Sequence, residues 1–195
     1  MSSFQGIWVP LVTPFHNGAI DFVALRRLVG HLLEKGVDGL IVCGTTGEPA
    51  AMSKQEQLAV LDAVLEQVPA NRVAMGLAGN NLSELLQFQR EILKRPVAGL
   101  LVPPPYYIRP SQAGLEAFFQ TVADASSVPL ILYDIPYRTG VTFEQATLLN
   151  IVAHERIVAI KDCGGNLTST LALLSSGLVD VLCGEDNQIF SALCL

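Results

Sequence analysis

Short, almost continuously apolar runs alternate along this chain with longer amphipathic stretches. The apolar runs cover 7–15, 39–44, 72–78, 98–103, 130–136, 157–163 and 179–184, and most of their residues are Val, Ile and Leu. A strand with one face in water alternates apolar and polar residues; a run apolar at nearly every position suits a parallel strand covered on both faces. Between the runs the apolar spacing changes to that of a helix. Phe22, Leu25, Leu28, Val29, Leu32 and Leu33 form one stripe, and Leu58, Leu61, Val64, Leu65 and Val68 another. Ser53 and Glu56 stand before the second stripe in the spacing of a capping box. Leu82, Leu85, Leu86 and Ile92 make a third, ended by Pro96, and further helices fit 111–126, 143–153 and 166–176.

The pattern predicts an α/β protein built of seven successive strand–helix units. No linker, charge block or low-complexity tract divides it, so 1–195 reads as a single domain. A doubly wound sheet would need a topological switch, and the first strand is followed by no G-x-G-x-x-G turn. Even spacing favours a (β/α)8 TIM barrel. Only seven strands are present, and the chain stops inside what reads as the seventh helix. The expectation is a barrel truncated after its seventh strand.

Composition narrows the class. Half of the residues are hydrophobic, 15% are charged and the net charge is −6, which excludes a disordered chain. Lys and Arg are scattered, so neither a nucleic acid nor an anionic membrane is expected as a partner. No run reaches the length of a membrane span, and the first residues lack the pattern of a secretory leader; a cytoplasmic protein is expected. Cys43, Cys163, Cys183 and Cys194 form no C-x-x-C pair and read as small hydrophobes. His16, His31 and His154 share no metal-ligand spacing, so neither metal nor cofactor is expected.

In a barrel the chemistry lies at the carboxyl ends of the strands. Those positions hold Thr13, Gly44-Thr45-Thr46-Gly47-Glu48, Pro105-Tyr106-Tyr107, Tyr133, Arg138, Lys161 and Gly184-Glu185-Asp186. Lys161 follows Ile157-Val158-Ala159-Ile160. Desolvation there would leave a neutral amine able to attack a carbonyl; the alternative is a lysine paired with Asp162 or a neighbouring carboxylate. The glycines Gly44 and Gly47 let backbone approach a ligand, and the two threonine hydroxyls suit a carboxylate; the turn lacks the lysine of a nucleotide-phosphate loop. Tyr133 could pass protons beside the lysine or be a core tyrosine. Tyr106 and Tyr107 follow three prolines and suit a subunit contact. Arg138 could grip a carboxylate or lie on the surface.

Taken in order, Gly44-Thr45-Thr46-Gly47-Glu48, Pro105-Tyr106-Tyr107, Tyr133-Asp134-Ile135-Pro136 with Arg138-Thr139-Gly140, and Ile160-Lys161-Asp162 with Gly165-Asn166 resemble the dihydrodipicolinate synthase family, whose relatives include N-acetylneuraminate lyase. The resemblance covers essentially the whole chain. It implies a pyruvate-dependent class I aldolase in which Lys161 forms the Schiff base and Thr45 and Thr46 hold the pyruvate carboxylate. Tyr133, Thr45 and Tyr107 would form a proton relay, with Tyr107 reaching a neighbouring subunit's site in a homodimer or homotetramer. Arg138 would bind the carboxylate of aspartate semialdehyde. Gly-Thr-Thr-Gly-Glu and Arg138 side with the synthase branch over the neuraminate lyases. Asp134 stands where the family usually has Asn, and Asp162-Cys163-Gly164 where it more often has Glu-Ala-Thr. Asn80, Glu84 and Tyr106 match places in the family's allosteric lysine pocket, whereas Lys54 and Gln57 stand where some members carry histidines. The resemblance also implies an eighth strand and a terminal helical domain beyond these elements. The readings to be separated are the synthase, another pyruvate aldolase or keto-acid dehydratase or lyase, and a catalytically impaired barrel fragment.

Overall fold

A computed structural model describes residues 4–195. In chain order its elements are β1 (Trp8–Pro10), β2 (Phe15–His16), β3 (Ala19–Ile20), α1 (Phe22–Glu34), β4 (Gly39–Val42), α2 (Lys54–Leu65), β5 (Val73–Gly76), α3 (Leu82–Ile92), β6 (Gly99–Val102), α4 (Gln112–Asp124), β7 (Leu130–Asp134), α5 (Pro136–Thr139), α6 (Gln145–Val152), β8 (Ile157–Asp162), α7 (Leu167–Ser176), β9 (Asp180–Cys183) and α8 (Ile189–Ala192). Seven strands form one parallel sheet in the order β1-β4-β5-β6-β7-β8-β9. Spatial order follows chain order without reversal, which is the order of a barrel wall and not of a doubly wound sheet. The sheet has β1 and β9 as its edges, and the seven expected strands are the seven observed.

The central strands β4 to β7 form where the sequence is apolar on both faces, because both faces are covered. Leu40, Val42, Leu100, Val102, Leu130, Leu132 and Ile160 face the helices and join Leu25, Val29, Leu61, Val64, Phe119, Leu148 and Ile151 in the larger core. The alternate residues Ile41, Ala74, Leu101, Ile131, Tyr133, Ala159 and Cys163 face inward and make a second, smaller core. Phe4 and Trp8 close its lower end, with ring centroids 4.9 Å apart. Room for them comes from two strand-opening glycines. A Cβ on Gly39 would stand 2.4 Å from the Trp8 ring, and one on Gly99 2.7 Å from the Phe4 ring.

The cap expected from Ser53 and Glu56 is present, and four further helices start at side-chain caps. Ser53 and Glu56 make a complete capping box: the Glu56 N–H donates to Ser53 Oγ at 3.2 Å and the Ser53 N–H to Glu56 Oε2 at 2.8 Å. Asp21, Asn81, Ser111 and Asn166 cap α1, α3, α4 and α7 through their side chains.

Two features depart from the sequence pattern. The first apolar run is not one strand: only Trp8–Pro10 pairs with β4, and β2 turns back on β3 as an antiparallel hairpin. Asn17 (φ 51°) and Gly18 (φ 80°) make its two-residue turn, the arrangement that Asn-Gly favours. The fifth run likewise ends early. Its strand stops at Asp134, and Pro136, with φ already set for a helix, opens α5.

Candidate active site

Lys161 on β8 stands in register with Tyr133 on β7 and Leu182 on β9. The lysine nitrogen lies 4.6 Å from the centroid of the Tyr133 ring. Burial is the main influence on the amine and lowers its pKa; Cys163, Glu185 and Asp186 oppose that by favouring the cation. Lys161 makes no salt bridge shorter than 4.0 Å with Asp162 or any other carboxylate among the described residues. The paired-lysine alternative is therefore not what the fold builds.

The space around the lysine is set by a glycine. A Cβ on Gly184 would stand 2.2 Å from Cys163 Sγ and 3.1 Å from Lys161 Cε, so Gly184 keeps the lysine's path open. Tyr133 is 5% exposed. Burial first, and then the Cys163 thiol, raise its pKa, while contact with the Thr45 side chain pulls the other way. Tyr133 and Thr45 are thus brought together beside Lys161.

Thr45 reaches this place because β4 ends abruptly. Cys43 adopts a left-handed conformation (φ 53°), which turns Gly44-Thr45-Thr46-Gly47 into a single 3-10 turn. The Cys43 carbonyl then presses on β5, where a Cβ on Gly76 would stand 2.1 Å from it. Thr13, buried at the end of the first run, donates from Oγ1 to the Gly47 carbonyl at 2.8 Å and holds the turn from the other side. Gly47 has no room for a side chain against Leu11 O, 2.9 Å from its Cβ position. Thr46 sits next to Thr45 on this turn and is exposed.

Tyr107 and Arg138 form a second, outer group. They line a cavity of about 630 Å³ together with Tyr106, Arg109, Tyr137, Thr139 and Gly140. Tyr107 is 89% exposed and held at φ 71°, an uncommon conformation for a bulky residue, by an N–H bond to Thr139 O at 3.1 Å. Lys161 does not line that cavity. The candidate residues therefore divide into an inner set of Lys161, Tyr133 and Thr45 and a mouth of Tyr107 and Arg138.

Several neighbours carried no assigned role in the sequence. Cys163 lies two residues after Lys161 on the same strand face, which strand periodicity could have revealed; burial pushes its thiol up to about 12. Glu185 accepts from the Tyr137 hydroxyl at 2.6 Å, and this bond, with a further one involving Cys163, lowers its pKa. Asp134 and Asp162 are in register on the outer face. Asp162 accepts from Thr170 Oγ1 at 2.6 Å and from the Gly164 N–H at 2.8 Å, while Asp134 Oδ1 has no hydrogen-bond partner among the described residues. Burial, and secondarily the charge of Asp162, raise the Asp134 carboxyl to about 7.

Fold and site together define a protein of barrel type whose half-buried lysine and adjoining buried tyrosine sit at the carboxyl ends of neighbouring strands. Residues 3–195 match the Dihydrodipicolinate synthetase family, and the chain belongs to that family. It is 39% identical over 190 residues to the 4-hydroxy-tetrahydrodipicolinate synthase of Pelobacter propionicus, covering 96% of this chain and 66% of that protein. The structure of the synthase from Methylacidiphilum fumariolicum SolV superimposes with a TM-score of 0.94 at 35% identity, over 98% of this chain and 65% of that one. A synthase from Acinetobacter baumannii, solved with pyruvate, gives 0.91 at 29% identity, over 98% and 67%. The chain spans just under two thirds of the length of the curated relatives it matches.

Proposed function

We propose that this chain carries the Schiff-base centre of a 4-hydroxy-tetrahydrodipicolinate synthase, condensing pyruvate with aspartate semialdehyde. The observation that carries the reading is the desolvated Lys161, without an ion pair among the described residues, in register with Tyr133. A neutral Lys161 amine attacks the keto carbon of pyruvate, and loss of water gives an imine. Tyr133, with Thr45 beside it, gives and takes the protons of that step. The N–H groups and hydroxyls of Thr45 and Thr46, with Gly44 and Gly47 leaving the backbone open, hold the pyruvate carboxylate. Removal of a methyl proton makes an enamine, whose carbon attacks the aldehyde. The imine itself serves as electron sink, so the scheme uses neither metal nor cofactor.

Arg138 meets the semialdehyde's carboxylate at the mouth. Tyr107, exposed within one chain, completes the relay of a neighbouring copy, which makes a homodimer or homotetramer the working form. A second reading, a related pyruvate aldolase, dehydratase or lyase with a hydroxylated acceptor, is favoured by the Tyr137 phenol lining the mouth next to Arg138.

Borohydride added with pyruvate is expected to fix one pyruvate on Lys161, read by peptide mass spectrometry. Label on no lysine, or on another lysine, would falsify the assignment. Comparing kcat/KM for aspartate semialdehyde with that for hydroxylated acid aldehydes then separates the two readings.

A further inference from the structure

Tyr137 and Glu185 belong to different strand–helix units, yet their side chains meet. Tyr137 is the second residue of α5 and immediately precedes Arg138; Glu185 stands on the turn after β9. Because β8 lies between β7 and β9 in the sheet, the bond between them spans the strand that bears Lys161. At 2.6 Å, from a hydroxyl to a carboxylate, it is a short charge-assisted bond. Tyr137 is 64% exposed, so the pairing is not forced by burial.

The two ends of the bond are unequally secured. Glu185 is fixed by its own backbone: the Gly184 N–H donates to Asp162 O at 2.8 Å, and Glu185 O accepts from the Gln188 N–H at 2.9 Å and from Cys183 Sγ at 3.3 Å. The segment α5 is a single turn of four residues, with backbone bonds from Arg138 and Thr139 to Ile135 and from Gly140 to Pro136. Its one backbone tie from elsewhere among the described residues comes from the exposed Tyr107, whose N–H donates to Thr139 O at 3.1 Å. One helical turn has little stability of its own. The side that gains from the tie is the one carrying Arg138.

We propose that Glu185 is a positioning residue for the acceptor: its bond to Tyr137 fixes α5 and thereby holds the Arg138 guanidinium at the mouth of the site. On the acceptor side Glu185 acts through Tyr137 and the neighbouring backbone; its charge also favours the Lys161 cation, an influence that Tyr137→Phe leaves in place. The inference rests on the reading of Arg138 as the group that meets the acceptor's carboxylate. Arg109 lines the same cavity, with its guanidinium 2.9 Å from the Cβ position of Gly140.

The test uses Tyr137→Phe, Glu185→Ala and Glu185→Gln in the full chain. Amide hydrogen exchange at Arg138, Thr139 and Gly140 is expected to quicken by roughly tenfold in Tyr137→Phe and Glu185→Ala, and less in Glu185→Gln, which keeps an acceptor. The KM for aspartate semialdehyde is expected to rise roughly five- to tenfold in Tyr137→Phe and Glu185→Ala, while pyruvate trapping on Lys161 keeps its rate in Tyr137→Phe. The double variant is expected to be no worse than either single one, because both remove the same bond. Unchanged exchange at these three amides overturns the proposal, whatever the activity. So does an unchanged semialdehyde KM, or a fall in pyruvate trapping in Glu185→Ala that Tyr137→Phe does not share, which would place Glu185's action on the lysine. If the parent chain traps no pyruvate at all, the proposed function falls, and the exchange result still decides the tie.

Discussion

Asp134 and Lys161 are shifted for a shared reason, loss of water, which favours the neutral form of each and so raises the pKa of the acid and lowers that of the amine. Asp134 sits with one oxygen unpartnered and Asp162 beside it, and its carboxyl is raised from 3.8 to about 7. The folded state then holds this proton more tightly than the unfolded chain does. Stability from this group is fully present below about pH 4 and is lost as pH rises toward 7. Asp134→Asn removes the titration. Relative to the parent, the variant is expected to gain stability progressively between pH 4 and 7, reaching about 2–4 kcal/mol at pH 8. Urea unfolding of both proteins across that range measures it, and a constant difference would show that Asp134 is ionised in the fold. Tyr133 is the residue-scale test of the relay. Tyr133→Phe keeps the ring next to Lys161 and removes the hydroxyl, so pyruvate trapping is expected to slow by roughly 10²–10⁴. Trapping at the parent's rate would take the proton-transfer role from Tyr133.

At the scale of elements, what could be read from the sequence was whatever a local pattern decides by itself. Seven strands were legible because a strand covered on both faces needs an unbroken apolar run. The start of α2 was legible because Ser53 and Glu56 satisfy each other's backbone N–H groups within one turn. The short pieces were not. α5 is helical because Tyr137 and Tyr107 hold it from outside, and Cys43 is left-handed because Gly76 yields space on the adjacent strand; neither contact is visible in a window of sequence. The β2–β3 hairpin did carry a local signal, Asn17-Gly18, hidden inside an apolar stretch that otherwise extends the first strand. The candidate site divides in the same way. Lys161 and Tyr133 could be placed by counting from strand ends, whereas the Tyr137–Glu185 pair depends on three strands lying side by side. Two glycines make the distinction measurable. Gly30 lies within α1 with nothing near its Cβ position, so Gly30→Ala is expected to stabilise the fold by about 0.5–1 kcal/mol. Gly76→Ala would drive a methyl into the Cys43 carbonyl and is expected to lose about 1–3 kcal/mol and to disturb Thr45. Thermal unfolding ranks the pair, and the reverse order would mean that β4 and β5 can separate at little cost.

On the scale of the whole molecule, the sheet has two edges and an uneven surface. β1 and β9 each pair on one side only. Leu167, Leu171, Leu174, Leu178, Ile189, Phe190 and Leu193, from α7 through α8, are all exposed. Unpaired edges and contiguous apolar surface promote association. The 195-residue chain in isolation is therefore expected to run above its 20.9 kDa monomer mass in light scattering, and a clean monomer would show that these surfaces are tolerated in water.

The aromatic plug of Phe4 and Trp8 divides the molecule into a closed end and a reactive end. Trp8 is the chain's one tryptophan, and its indole N–H bonds to Gln5 O at 3.1 Å, at the opposite end of the strands from Lys161. Nature has in effect placed a fluorophore where chemistry does not occur. Emission from Trp8 should follow unfolding of the inner core while staying indifferent to pyruvate, so one cuvette can report whether the scaffold is intact independently of whether the lysine is occupied.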